Sequence, residues 1–410
     1  MKKPEILAPA GSLEKLKVAV LYGADAVYLG GQAFNLRESA TNFSLEEMKE
    51  GIEFAHQHGA KVYVTVNVIP HNENLEGLDD YLKKLPGIGV DALIVSDPGI
   101  LGMIQDVIPE MEVHLSTQAN AVNWRSVKFW ANQGLERVIL ARELSIDEIK
   151  EIKAKNPQVS LEAFIHGAMC ISYSGRCLLS NYMTNRNANL GQCAQSCRWK
   201  YHLVEEQRPG EYYPVFEDEH GTYIFNSKDL CMIENIPELV EAGLDSLKIE
   251  GRMKSLHYVS TVTGVYRRAI DEYCKDPDNY QFDPDWLEEL KKVSHRHYTT
   301  GFYFEKAGPE AHNYETSHYV RNFDFMGFVH DYNPDKGEAL VEVRNKFYKG
   351  DEVEIYGPDT KTFTVQVDYI IDDEQGIEVE DAPHPHQMIW IPVDRAVNKY
   401  DLVRRIVEED

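Results

Sequence analysis

The 410-residue sequence has no apolar run approaching the roughly 18 residues that a helix needs to cross a bilayer, which excludes transmembrane helices, and no membrane partner is expected. It also lacks positive charge, with 42 Lys and Arg against 67 Asp and Glu and a net charge of −25 at pH 7. A general nucleic-acid binder should be basic, so the charge argues against that class. An enzyme that engages RNA through one local basic groove is not excluded, because Arg176, Arg186, Arg198, Lys200, Arg252, Lys254, Arg267 and Arg268 gather in one part of the chain. No H-E-x-x-H is present to put two zinc ligands on one helical face, and no G-x-S-x-G to expose a nucleophilic serine. The opening MKKPEILAPAG enters a strand pattern directly, without an apolar leader, so a reducing, cytoplasmic location is expected.

Cysteine is scarce but concentrated. Of six cysteines, five fall at Cys170, Cys177, Cys193, Cys197 and Cys231, spaced C-x6-C-x15-C-x3-C-x33-C, and Cys274 stands apart. Disulfides do not suit a long chain in a reducing compartment. Zinc takes thiolates tetrahedrally but draws on tight C-x2-4-C knuckles, and only Cys193–Cys197 approaches that form. Four thiolates from scattered loops suit an iron–sulfur cluster, and no imidazole follows the pairs at zinc-finger spacing. Five buried free thiols in one polar, glycine-bearing loop would be unusual. The residues therefore point to a thiolate metal site, with iron–sulfur favoured and zinc the alternative.

From residue 5 to about 275, short apolar runs alternate with longer helical patterns, the rhythm of a parallel sheet. The candidate strands are EILAPA, AVYLGG, KVYVTVNVI, ALIVSD, EVHLSTQ, RVILARE, SLEAFIHG and SLKIEGR, and several intervening helices open with Ser and close with Gly. Eight such units predict an α/β fold, a TIM-type (β/α)8 barrel. A doubly wound sheet is the runner-up, but the first βα turn has no G-x-G-x-x-G. The expected barrel covers 1–275, with a cysteine-bearing insertion at 167–231 that includes a hairpin from KYHLVEEQ to GTYIFN. Residues 276–320, ending in the aromatic HYTTGFYF, read as a connector packed on the barrel. Alternating strands from 321 to 410 predict a small C-terminal all-β barrel.

Charged and polar residues at strand ends supply the candidate site, because charge inside parallel strands is costly unless paired or functional. Glu162, His166 and Glu250 are the candidate catalytic residues. Arg37, Asn67, His114, Gln118, Arg142, Lys248 and Arg252 are the candidate substrate contacts.

The pattern Glu162-x-Phe164-x-x-Gly167-Ala168-Met169-Cys170-x4-Gly175-x-Cys177-x-Leu179-Ser180 resembles the signature of the peptidase U32 family. PEILAPAGSLEKLKVAVLYGADAVYLGG, VHLSTQANAVNW, NSKDLC, LKIEGR and HYTTGFYF extend the resemblance over essentially the whole chain. Family members were first called collagenase-like proteases, so a peptidase is one alternative. Better-understood relatives carry a four-cysteine [4Fe–4S] cluster and hydroxylate nucleic acid or ubiquinone precursors. The resemblance thus implies an iron–sulfur tRNA-modifying enzyme, with prephenate as co-substrate in wobble uridine 5-hydroxylation. It implies Cys170, Cys177, Cys193 and Cys231 as ligands, with Cys197 as the alternative fourth. Prephenate carries two carboxylates, so arginines able to pair bidentately are expected at its site, with Arg37 and Arg142 as candidates. Another alternative is a metal-stabilised binding protein without catalysis, partnered by a U32 paralogue or by a second copy of itself.

Overall fold

A computed structural model describes residues 2–32, 34, 42–169, 179–184, 186, 194, 196, 216–218, 221–223, 228–304 and 320–407. The chain forms two compact units, one of Met1–Leu287 with His295–Tyr319 and the other of Glu288–Ser294 with Val320–Asp410. The stretch read as a single connector is thereby divided, since 288–294 belongs with the second unit.

All eight expected parallel strands form. They are β1 Glu5–Pro9, β2 Ala26–Gly30, β3 Lys61–Val66, β4 Ala92–Val95, β5 Val113–Leu115, β6 Arg137–Ile139, β7 Ser160–Ala168 and, after three further strands described below, β11 Ser246–Ile249. Each pairs with the next, and β11 closes the ring by pairing with both β1 (Glu5↔Ser246) and β7 (Ser246↔Glu162). The result is a (β/α)8 barrel. The strands follow from their residues. In β3, KVYVTV, successive side chains face opposite sides, so Val62, Val64 and Val66 go to one buried face while Tyr63 and Thr65 go to the other. Burying each such aliphatic side chain is worth about 1.5–3 kcal/mol, which drives the ring to take a helical coat.

The helices start where the serines predict. Ser12, Ser44, Ser145 and Ser255 each accept a backbone N–H in the first turn, and Ser44 with Glu47 and Ser145 with Glu148 form complete capping boxes.

Among the described residues, three strands come between β7 and β11. Phe216–Asp218 (β8) pairs antiparallel with Gly221–Tyr223 (β9), so the start of GTYIFN takes as its partner a segment read from the sequence as the turn, and 224–226 lie outside the described residues. KYHLVEEQ lies outside the described residues. Asp229–Cys231 (β10) adds antiparallel to the outer end of β7, pairing Cys231 with His166, and Tyr298–Thr299 (β12) pairs with β10. Cys231 thus stands on a strand, where the sequence suggested a loop. The long β7 forks here, with its first half in the barrel and its last residues bound to β10.

In the second unit an eight-stranded sheet, antiparallel throughout, packs one apolar cluster that includes Met326, Val341, Phe347, Ile355, Ile389 and Val403. It includes Phe323–Asn333, Glu338–Val343, Glu352–Tyr356 and Met388–Pro392. TFTVQVDYII is two strands, Phe363–Gln366 and Ile370–Asp372. The last strand, Leu402–Ile406, was not legible in LVRRI, because paired arginines look like a solvated tail. Arg404 is nonetheless fully buried, on the face opposite Val403. It meets Glu289 through two hydrogen bonds and Glu354 through a third, and its guanidinium lies 4.2 Å from the Tyr356 ring centroid.

Candidate active site

Four charged side chains fill the lower barrel interior, nearest the strand starts. Arg137 Nη1 reaches Glu5 Oε1 and, at 3.3 Å, Glu162 Oε2, while Lys248 Nζ lies 3.0 Å from Glu162 Oε1. Glu162 is fully buried with both oxygens engaged. Burial opposes its charge, but Lys248 and then Arg137 outweigh that and hold the carboxyl below its usual range. The Tyr63 hydroxyl donates to Glu5, and burial together with Glu5 pushes its pKa upward. This closed network fixes Glu162 as an anion, a poor proton donor. Arg137, Glu5 and Tyr63 were missed from the sequence. The available signal was a charge at or near the first position of a strand whose following alternate residues face inward, as with Glu5/Leu7 and Arg137/Ile139.

His114 also lies at this lower level, paired in register with Arg137 rather than standing at the strand's outer end. Its Nε2 is 2.7 Å from Glu112 and its ring meets Tyr63 edge-on at 4.7 Å.

Above this layer, at the C-terminal ends of the strands where barrel enzymes carry their sites, two polar arcs form. One is an amide arc, in which Asn67 Nδ2 donates to Gln118 Oε1 at 3.0 Å and Ser116 Oγ donates to the same oxygen at 2.7 Å. The other arc is charged. Arg142 packs its guanidinium 3.9 Å over the Phe164 ring, and its Nη2 lies 3.8 Å from Glu250 Oε2. That separation is longer than a hydrogen bond, so the planar fork of Arg142 keeps donors for another carboxylate. Arg252 Nη2 donates to Asn42 Oδ1 at 2.9 Å, near Thr65. Lys248 links the layers, lying 4.4 Å from the Tyr28 ring centroid, and the Tyr28 hydroxyl is 3.4 Å from Glu250 Oε2. Arg37 lies outside the described residues.

His166 does not join Glu162 and Glu250. The pairing of β7 with β11 slips between Lys248/Ile249, so that Ile165 is the extra residue and His166 pairs with Ile249. Such a bulge re-aims the following side chain. His166 is turned from the lumen onto the helix Leu256–Lys275, against the rings of Tyr258 and Tyr266 at 5.9 and 5.6 Å. Gly167 follows at φ +108, where a Cβ would come within 2.6 Å of the Glu250 carbonyl, so only glycine fits between the two strands.

Of the proposed metal ligands, Cys170, Cys177, Cys193 and Cys197 lie outside the described residues. Among the described residues no group of three His, Cys, Asp or Glu is placed to hold a metal ion. Cys231 is buried, and burial pushes its thiol up to about 12, so a nearby cation would be needed to bring it to the thiolate. Beside it, His166 is 1% exposed and burial, followed by Lys254 and His295, lowers its pKa to about 3. Its Nε2 is buried with no hydrogen-bond partner. Cys231 supplies one soft sulfur donor of the kind a thiolate-bound metal group uses, and His166 is its register partner on β7.

The sequence model of peptidase family U32 matches residues 11–313, and that of the peptidase family U32 C-terminal domain matches 321–404. The chain is 48% identical over 404 residues to tRNA hydroxylation protein P1 of Bacillus subtilis, covering 98% of this chain and 95% of that one. It is 41% identical to tRNA hydroxylation protein P of Escherichia coli, covering 99% and 97%. The 23S rRNA 5-hydroxycytidine C2501 synthase of Escherichia coli is 41% identical over 272 residues, covering 66% of this chain and 40% of that protein.

Proposed function

The chain belongs to peptidase family U32, and from that premise we propose that it is an RNA-hydroxylating enzyme acting on tRNA, most specifically in wobble uridine 5-hydroxylation. The observation that carries the reading is its near-full-length likeness to a protein named for tRNA hydroxylation. The polar arcs at the barrel mouth support it, because they offer a place for a small anionic co-substrate. A dicarboxylate such as prephenate would be gripped by Arg142, whose fork is held flat by Phe164 and only loosely engaged by Glu250. Arg37 would supply the second cation. Arg252 and the amide pair Asn67 and Gln118 would orient polar groups beside it. Glu250 would accept or hold a proton at the mouth, whereas Glu162, locked between Arg137 and Lys248, holds Lys248 in place.

In this reading Cys170, Cys177, Cys193 and Cys231 hold a [4Fe–4S] cluster, with Cys197 as the alternative fourth ligand and zinc as the alternative metal. When bound, such a cluster supplies one-electron chemistry. The described helices include none long and apolar enough to cross a membrane, and a cytoplasmic location is part of the proposal.

The test is a tRNA digest from a strain lacking the gene and any redundant pathway, in which 5-hydroxyuridine and its derivatives should disappear. Restoring the gene as Arg142→Ala should leave modification deficient at low prephenate. Losing one charge-assisted pair to a dianion costs about 1.5–3 kcal/mol, roughly ten- to hundredfold in binding. Unchanged tRNA in the deletion strain would refute the enzyme reading. Wild-type modification by Arg142→Ala, with an unaltered melt and iron content, would make Arg142 structural.

A further inference from the structure

An exposed apolar side chain is usually no signal, since polar residues are too few to cover a protein's surface. Phe304 differs in how it is mounted. β6 stops at Ile139, and just past it the Leu140 N–H donates to Glu162 O on β7 at 2.8 Å. Carbonyls two residues apart on a strand face the same edge, so the next acceptor on that side, beyond the end of β6, is Phe164 O. The Tyr303 hydroxyl donates to it at 2.5 Å. The Tyr303 carbonyl in turn accepts the Ile146 N–H at 2.9 Å. Ile146 opens the helix Ile146–Lys155, and the first N–H groups of a helix have no partner within it. Upstream, β12 is paired to β10, and Thr299 Oγ1 accepts the Gly301 N–H at 3.1 Å.

These bonds fasten 298–303 to the rim of the barrel between β6 and β7, at the end where the strands finish. Arg142 is a neighbour there. Its guanidinium lies over the ring of the same Phe164, and its charge works against the upward push that burial gives the Tyr303 hydroxyl. Phe304 comes one peptide step after the buried Tyr303 and is 46% exposed, with the half-buried Phe302 on the other side. A partner can cover a ring on so fixed a mount at little further cost in ordering.

The mouth beside it narrows the kind of partner. Among the mouth residues, Arg142 and Arg252 stand against the carboxylate of Glu250, in a chain whose net charge is −25. This end of the barrel thus suits a polyanion. An unpaired base that leaves its neighbours loses stacking, and an aromatic side chain restores it because every base has a π-face. A protein partner would need roughly 800 Å² on this side, whereas one aromatic side chain offers about 150–250 Å².

We propose that Phe304 is a stacking face for an unpaired base of the RNA substrate, presented at the rim by the anchored Tyr303. This rests on the tRNA reading above and deepens it, since it assigns recognition to a single-stranded loop rather than to duplex RNA.

The experiment uses an anticodon stem–loop RNA with a terminal fluorophore for anisotropy and 2-aminopurine in its loop to report stacking. It compares wild type, Phe304→Ala, Phe304→Leu and Phe304→Trp, each checked by thermal melt. Removing one base–aromatic stack weakens binding roughly five- to 150-fold. Phe304→Ala and Phe304→Leu should lose that much affinity together with the 2-aminopurine quenching, whereas Phe304→Trp should bind like wild type. Phe129→Ala, which removes a comparably exposed ring from the helix Trp124–Asn132, should also bind like wild type. Unchanged affinity in Phe304→Ala overturns the inference. Wild-type binding by Phe304→Leu overturns it too, since apolar contact alone would then suffice, and so do equal losses in Phe129→Ala and Phe304→Ala. If Phe304→Ala does not fold, the difference between Phe304→Leu and Phe304→Trp decides. All of these outcomes leave the tRNA reading standing. That reading fails if tRNA from the deletion strain is unchanged, and this inference then falls with it.

Discussion

Glu5, Arg137, Glu162 and Lys248 run through the space enclosed by the barrel strands, whereas the strands of the second unit close over an apolar cluster of Met326, Val341, Ile355, Ile389 and their neighbours. In the second unit the fully buried guanidinium of Arg404 sits on the face turned away from that cluster. The contrast separates two uses of burial. An apolar interior gains stability from every methyl it hides. An ion network in a closed barrel roughly breaks even against hydrophobic residues of the same volume, since desolvation offsets most of the attraction. The barrel therefore gains little stability from its charges. What it gains is a rigid layer that aims Lys248 and the residues above it at the mouth.

The sharpest way to break the comparison is Glu162→Ala. It leaves Arg137 and Lys248 facing each other with the shared carboxylate gone, and should cost the barrel about 3–5 kcal/mol, read from its urea transition. A loss under about 1 kcal/mol would mean that the network is not desolvated and that the contrast fails. Next comes Ile355→Ala in the second unit, expected to cost about 2–4 kcal/mol through lost transfer energy and the cavity left behind. Its effect should appear only in the second unit's transition, and a matching shift in the barrel would show that the two cores are not independent.

The smallest effect is in acid. Burial opposes the charge on Glu289, but its hydrogen bonds to Arg404 and the charges of Arg404 and Lys292 prevail, so its folded pKa lies below the ordinary carboxylate value. The unfolded chain therefore takes up the proton at higher pH than the folded one. The stabilisation is complete above about pH 4.3 and is lost as pH falls through the folded value. Glu289→Gln should flatten that acid limb in a melting-temperature profile, and an unchanged slope would show that Glu289 is solvated.

The barrel was legible because its signals are local and repeated. Runs such as ALIVSD and SLKIEGR, with Ser caps between, state the period of a parallel sheet several times over. The mouth was partly legible for the same reason, as Asn67, Gln118, Arg142, Glu250 and Arg252 all follow recognisable strands. What failed depended on a single register step. Counting by twos from Glu162 puts His166 in the lumen, and only the slip opposite Lys248/Ile249 sends it to the other side. Arg137 and Glu5 were overlooked because a charge at a strand's start usually marks its solvated end. LVRRI failed because a buried arginine can be recognised only once its two glutamates, far off in the chain, are known.

Arg404 also bears on how such a chain could be assembled over evolutionary time. Its bidentate partner Glu289 precedes the second unit's first strand, and Glu288–Ser294 is counted with that unit rather than with the barrel. A recombination joint placed immediately before the sheet would inherit the arginine with Glu354 but without its bidentate partner Glu289. Descendants of such an event would need either a compensating acid or an apolar replacement at that position. The transferable cassette is therefore longer than the sheet, and Glu288–Ser294 travels with the domain.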